Sequence, residues 1–235
     1  MDSLNSFALE SNRQIKINFD GGDLSSDAGL LLIKEFICKL GFVKLLKSVF
    51  KTNDTALRYH KDDENLWQVI YQILGAYFED DCADELIHDP VLTAILDKRA
   101  LASQPTLSRF FNRMDETTLD QFYVLMRRFR KVVYAIKKPR LLLLDLDSTL
   151  LDTYGHQEGE GFNFHYQSHG YHPLVCYDGM TGDLLKIELR NGTNYSSTGV
   201  VEFLQPLLDE FLTDYPDLPL LLRGDSGFAK PELYD

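Results

Sequence analysis

The chain has 235 residues, 44% of them hydrophobic and 26% charged, which supplies a core for one large or two small domains and excludes disordered and fibrous classes. Its unbroken aliphatic runs are no longer than that of residues 141–144, far short of the ~20 apolar residues of a membrane span, and no basic segment followed by an apolar one opens the chain. Three scattered cysteines, Cys38, Cys82 and Cys176, argue against a disulfide framework and a thiolate zinc site and point to a reducing cytoplasm. From the amino terminus, Ile15, Ile17 and Phe19 alternate with Lys16 and Asn18 as a short strand that Asp20-Gly21-Gly22 ends. Ser25 or Ser26 is expected to cap a helix with a stripe of Leu30, Leu31, Ile33, Lys34 and Ile37. A second helix is expected over residues 64–78, with Leu66, Trp67, Ile70, Tyr71, Leu74 and Phe78 on one face. Residues 103–113 read as a short helix with Pro105 in its first turn. Asp115 then caps a long one carrying Leu119, Phe122, Tyr123, Met126, Phe129 and Val133.

Pro139 closes the helical region, because proline disfavours helix in the residue before it. Beyond it the period changes: residues 141–147, 173–177 and 184–189 read as strands, the last two a hairpin around Asp178-Gly179-Met180-Thr181-Gly182. Ser196 or Ser197 is expected to cap a helix bearing Val200, Phe203, Leu204, Leu207 and Phe211, and residues 219–222 form a fourth strand ending at Arg223-Gly224-Asp225. The charge changes at the same place. Residues 1–140 hold 20 Lys/Arg and 20 Asp/Glu, residues 141–235 hold 4 and 16, and the net charge of −12 lies wholly in the second part. The division expected is a helical domain over residues 1–138 and an α/β domain over residues 139–235.

Clustered carboxylates are what a divalent cation needs. Asp145 and Asp147 sit on one face at the end of an apolar strand, and Asp225 follows another such strand. Carboxylates buried there require a metal, a cation or hydrogen bonds, and open α/β sheets place their sites at strand ends; capping of a loop is the plainer alternative. Between Gln121 and Leu144 no acid occurs while Arg127, Arg128, Arg130, Lys131, Lys137, Lys138 and Arg140 do. That is a footprint for DNA backbone, and equally a solvated helix face. Arg109 and Arg113, with Thr106 and Asn112, give residues 103–113 the look of a recognition helix, and equally of a surface helix. His156, His165, His169 and His172 fit no zinc spacing.

Asp145-Leu146-Asp147-Ser148-Thr149-Leu150 resembles the first motif of haloacid-dehalogenase-like phosphatases, with Asp145 as nucleophile, but the hairpin that follows and the lack of a second Asp after Gly224-Asp225 depart from that family. Leu146-Asp147-Ser148-Thr149, Gly170-Tyr171-His172-Pro173-Leu174-Val175, Leu189-Arg190-Asn191-Gly192-Thr193-Asn194 and Leu222-Arg223-Gly224-Asp225-Ser226-Gly227-Phe228 are similar, in order and spacing, to DDE transposases of the thirteen-eighty group of bacterial insertion sequences. Glu85-Leu86-Ile87-His88-Asp89-Pro90 and Ser103-Gln104-Pro105-Thr106-Leu107-Ser108-Arg109-Phe110 fit the same group. The resemblance implies a ribonuclease-H-like mixed sheet, here incomplete, and cleavage and transfer of DNA phosphodiesters with two Mg2+ (or Mn2+) ions ~4 Å apart. It further implies double-stranded DNA partners, the transposon's terminal inverted repeats and a target, and a homo-oligomer of the full-length protein. Carried over residue by residue, Asp147 and Asp225 are the first two catalytic and metal-binding acids. The family's third, a Glu on a later helix, finds no match, since Glu232 lies too close to the fourth strand. The expectation is therefore an amino-terminal part of a transposase, truncated or split and inactive by itself; a DNA-binding fragment without chemistry is the other alternative.

Overall fold

The computed structural model describes residues 6–22 and 24–233, which fall into two compact units meeting between Val133 and Tyr134. That is within the last turn of a helix and a few residues before the expected break at Pro139, because Tyr134 packs into the core of the second unit.

The first unit opens with an antiparallel pair, β1 (Ser6–Ala8) and β2 (Lys16–Asn18). Seven helices follow: α1 (Gly29–Lys39), α2 (Phe42–Val49), α3 (Asp62–Leu74), α4 (Cys82–Glu85), α5 (Pro90–Leu96), α6 (Gln104–Phe111) and α7 (Glu116–Ile136). Local chemistry fixes several ends. The Asp89 carboxylate accepts from the backbone N–H groups of Val91 and Leu92 with Pro90 in the first turn of α5. Asp115 Oδ1 likewise accepts from the Thr118 backbone at 3.0 Å and from the Thr117 and Thr118 hydroxyls ahead of α7. Two expectations shift. Ser25 accepts from Asp27 in a turn ahead of α1 and does not cap it, and α3 stops at Gly75, after which Ala76 takes a positive φ, leaving Phe78 outside the helix and exposed. Leu30, Leu31, Leu46, Leu66, Trp67, Leu92, Ile95, Phe110 and Leu125 form the core. Rings interlock there, with Phe42 edge-on to Trp67 at 5.5 Å and Phe50 6.0 Å from Phe110.

In the second unit the strands are β3 (Leu142–Ser148), β4 (Leu151–Asp152), β5 (Gly161–Asn163), β6 (Ser168–Tyr171), β7 (Leu174–Asp178), β8 (Leu184–Glu188) and β9 (Leu220–Arg223), with α8 (Val200–Asp214) between the last two. The four-stranded sheet runs β8-β7-β3-β9; β7 is antiparallel to both β3 and β8, and β9 is parallel to β3. Period-2 patterning places Leu142, Leu144 and Leu146 in the core with Phe203, Leu204, Leu207 and Phe211 of α8, each fully buried aliphatic side chain contributing roughly 1.5–3 kcal/mol. Asp145 and Asp147 thereby share the opposite face. Gly199, in the left-handed region at φ 70°, begins α8 where a serine cap was expected.

A second sheet, β4-β6-β5, fills the stretch between β3 and β7 that the sequence pattern left without elements. Glycine makes its packing feasible. A Cβ on Gly192 would stand 2.2 Å from the Gly161 carbonyl oxygen and 2.4 Å from that of Gly170, so the chain after β8 lies directly on the backbones of β5 and β6.

Candidate active site

The parallel register pairs Leu142 with Leu220 and Asp145 with Arg223. Asp147 is the last residue but one of β3 and Asp225 follows β9 by two residues, so both lie at the carboxyl ends of neighbouring parallel strands. The two acids line one cleft of about 460 Å3 together with Ser148, Asn163, His165, His172, Asn194 and Tyr195. Each carboxylate uses Oδ1 in a local turn, Asp147 accepting from the Ser148 backbone at 2.7 Å and Asp225 from the Gly227 backbone at 2.8 Å. Oδ2 of each makes no hydrogen bond to a described residue, and neither acid has a cation as partner there.

Asp145 is differently placed. Arg223 donates to it from Nε at 2.8 Å and from Nη2, and these hydrogen bonds hold the carboxyl below the usual carboxylate range. It is an ion pair on the sheet, outside the cleft lining. The histidines also divide: His156 and His169 flank Glu160, with His169 Nδ1 2.8 Å from its carboxylate, whereas His165 and His172 are on the cleft wall. His172 is buried, and its Nδ1–H donates to the Asn194 carbonyl at 2.8 Å, which fixes the tautomer and leaves Nε2 without a partner among the described residues.

The cleft is held from behind by a residue that sequence reasoning quoted in a motif but gave no role. Arg190 is 7% exposed and donates to the carbonyls of His172, Tyr195, Ser196 and Thr198 and to the Ser148 hydroxyl, the last at 3.0 Å. Burial pushes its guanidinium pKa down. One side chain so ties the end of β3, next to Asp147, to the start of β7 and to the 195–198 turn. Asn163 adds a second tie, donating to the Gly192 carbonyl at 2.8 Å while its carbonyl accepts from the backbones of His165 and Tyr166.

As a metal site the donor set is two carboxylates with one uncommitted oxygen each, hard oxygen ligands of the kind Mg2+ or Mn2+ takes when it keeps several waters. Among the described residues no group of three His, Cys, Asp or Glu side chains is placed to hold an ion.

Of the basic residues expected to meet DNA, Arg109, Arg128, Lys131, Lys137 and Lys138 are exposed, and Arg127 and Arg130 are half-buried on α7. Arg113 is engaged within the first unit: Nη2 donates to Asp62 at 2.7 Å, Nη1 to the Arg109 carbonyl, and Nε lies 3.4 Å from Asp54. No helix among the described residues is long and apolar enough to cross a membrane. A family model described as "Transposase DDE domain group 1" matches residues 7–235. No curated protein and no solved structure gives a match.

Proposed function

The chain belongs to the group 1 DDE transposase domain family, whose role is DNA transposition, and from that premise we propose that Asp147 and Asp225 form its metal-dependent centre for phosphodiester cleavage and strand transfer at insertion-sequence ends. The observation that carries the proposal is the pair of acids brought by parallel neighbouring strands to one cleft, each with an unengaged carboxylate oxygen. The β8-β7-β3-β9 order with α8 before the parallel strand supports a ribonuclease-H-like core. The colinear motifs support the thirteen-eighty group, with terminal inverted repeats and target duplex as DNA partners and a homo-oligomer as the working assembly.

Asp147 and Asp225 would hold Mg2+ or Mn2+, which when bound lowers the pKa of water or a 3′-hydroxyl and stabilises the leaving oxygen. The rest is done by the chain. Arg190 and Ser148 fix the backbone that carries Asp147, the three-residue turn after Asp225 fixes that carboxylate, and Asn163 with the His172–Asn194 bond holds the wall against which a DNA strand would lie. The exposed Arg128, Lys131, Lys137 and Lys138, with Arg127 and Arg130, supply backbone attraction that the acidic stretch from residue 141 onward lacks. Because no third acid joins the two among the described residues, we propose also that this chain by itself does not complete transposition.

The phosphatase reading requires Asp145 as a nucleophile, and its double hydrogen bond to Arg223 opposes that. The test is cleavage of DNA carrying both insertion-sequence ends by the active transposase, with Mg2+ or Mn2+. Asp147→Asn and Asp225→Asn should each lower cleavage by at least about a hundredfold, since an amide is a poorer ligand for a hard cation, while Asp145→Asn should lower it far less. Equal loss from Asp145→Asn, with phosphate release from a small ester, would select the phosphatase. End cleavage by this chain alone would refute the claim that it needs a further acid.

A further inference from the structure

The first unit holds a second polar cavity, of about 240 Å3, lined by Leu57, Arg58, Tyr59, His60, Asn65, Thr106, Arg109 and Arg113. Asn65, on α3, is 1% exposed, and neither its amide nitrogen nor its amide oxygen has a hydrogen-bond partner among the described residues. Buried amides are almost always paired, because an unmade hydrogen bond costs the full desolvation of the group. An amide offering a donor and an acceptor side by side is the group that pairs in two-point fashion with the edge of adenine. At the rim, among the described residues, Arg58 gives only Nε to Asp54 and Arg109 gives only Nη2, at 3.3 Å, to Thr106, so both guanidinium groups keep terminal N–H donors there. His60 is held below the usual imidazole range by burial and by Lys98, which leaves the arginines as the positive groups of the rim. Tyr59 stands beside them with 63% of its surface exposed. The cavity is smaller than the roughly 300–1,000 Å3 that takes a drug-sized ligand, and suits one base.

We propose that this pocket takes an unpaired adenine of a DNA strand, with Asn65 on the base edge and Arg58 and Arg109 on the flanking phosphates. The inference rests on the reading of the chain as DNA-binding and gives one place in the first unit where sequence, not charge alone, is read. Extruding a base costs least where it is already unpaired, so the probe is a short duplex with one bulged nucleotide, compared with the same duplex bulged at an abasic position and with a fully paired one. The full chain is used, without divalent metal.

The bulged adenine should bind about tenfold tighter than the abasic bulge, the lower range of what a two-point amide–base pair discriminates. Asn65→Leu, which keeps the side-chain volume and removes both unpaired groups, should fold at least as stably and bring the two bulges within twofold. Arg58→Ala with Arg109→Ala should weaken both bulges alike and lower the salt slope by about two contacts' worth. Equal affinity of the two bulges for the unaltered chain would overturn the pocket, as would an Asn65→Leu variant that still discriminates. In either case binding to the paired duplex would leave the DNA reading intact, whereas failure to bind any duplex would overturn that reading instead.

Discussion

In the first unit several acids are matched by a cation or a helix start; in the second, from residue 141 onward, acids far outnumber the cations. Asp54 and Asp62 hold Arg58 and Arg113, Glu64 holds Lys98, and Asp89 and Asp115 cap α5 and α7. Residues 141–235 carry 16 acids against 4 cations, and three of those cations are committed. Arg190 serves carbonyls, Lys186 donates to the Phe203 carbonyl at 2.6 Å, and Arg223 serves Asp145. Asp147 and Asp225 are left to share a cleft without a positive partner among the described residues. The two strand-end acids of the proposed centre thus differ from the matched acids of the first unit in having nothing that neutralises them.

The contrast predicts opposite results from the same chemical change. Asp62→Asn removes the charge that Arg113 and the Thr52 hydroxyl address, and should cost about 2 kcal/mol of stability, the scale of a lost hydrogen bond to a charged group. Asp147→Asn should cost almost nothing, or stabilise slightly by relieving repulsion from Asp225, while removing activity. Urea unfolding of both variants checks this, and an Asp147→Asn variant as damaged as Asp62→Asn would make Asp147 a structural acid. Arg190→Met should have the larger effect, about 3–5 kcal/mol, because it strands the Ser148 hydroxyl and several carbonyls in a buried place. Its partners are neutral, so Arg190→Lys should recover little: an ammonium cannot reproduce the fork that spans Ser148 and Thr198.

Gly192→Ala follows, at about 1–3 kcal/mol, the usual cost of forcing an extra methyl into a packed place. Here the atoms in the way are backbone carbonyls, which yield less than side chains. If Gly192→Ala unfolds at the same urea concentration as the unaltered chain, the small sheet is not docked on the cleft loop as described.

What was legible in advance follows from periodicity. The apolar strand ending at Asp147 and the one ending at Asp225 were readable because leucine runs and period-2 alternation are local signals, and a hairpin followed by a helix implies that the next strand runs parallel to the first. The β4-β6-β5 sheet was not, since residues 149–171 carry no period; its strands are two to four residues long and are held by glycine contacts to a segment twenty or more residues away. Arg190 escaped for another reason. Arginine is ordinarily exposed, and nothing local marks one that will be buried among carbonyls. Both serine caps failed where the backbone itself supplied the start, through Gly199 at α8 and through the turn ending at Ala28 at α1. At α6, Pro105 stands in the first turn as expected, but the helix is shorter than residues 103–113, and the recognition-helix look of Arg113 concealed an ion pair with two acids some fifty residues earlier in the chain.

The smallest effect belongs to the one acid of β3 that does resemble those of the first unit. Asp145 has its folded pKa lowered below 3.8, first by the hydrogen bonds from Arg223, so the folded state holds the proton less well than the unfolded chain does. A carboxyl of that kind contributes stability that is fully present above the unfolded pKa and is lost as pH falls through the folded one. The Arg223 side chain is 58% exposed and that of Asp145 33%, and screening by water limits the contribution to about 0.2–1 kcal/mol. At pH 7 Asp145→Asn should therefore be destabilised by no more than that. The gap from the unaltered chain should close as pH falls below the unfolded value and through the lowered folded one, where Asp145 takes up its proton. Unfolding free energies measured across that range in both proteins decide the matter. A gap that does not narrow as the pH is lowered would mean that Asp145 acts through packing, and a gap of several kcal/mol at pH 7 would place it among the buried acids.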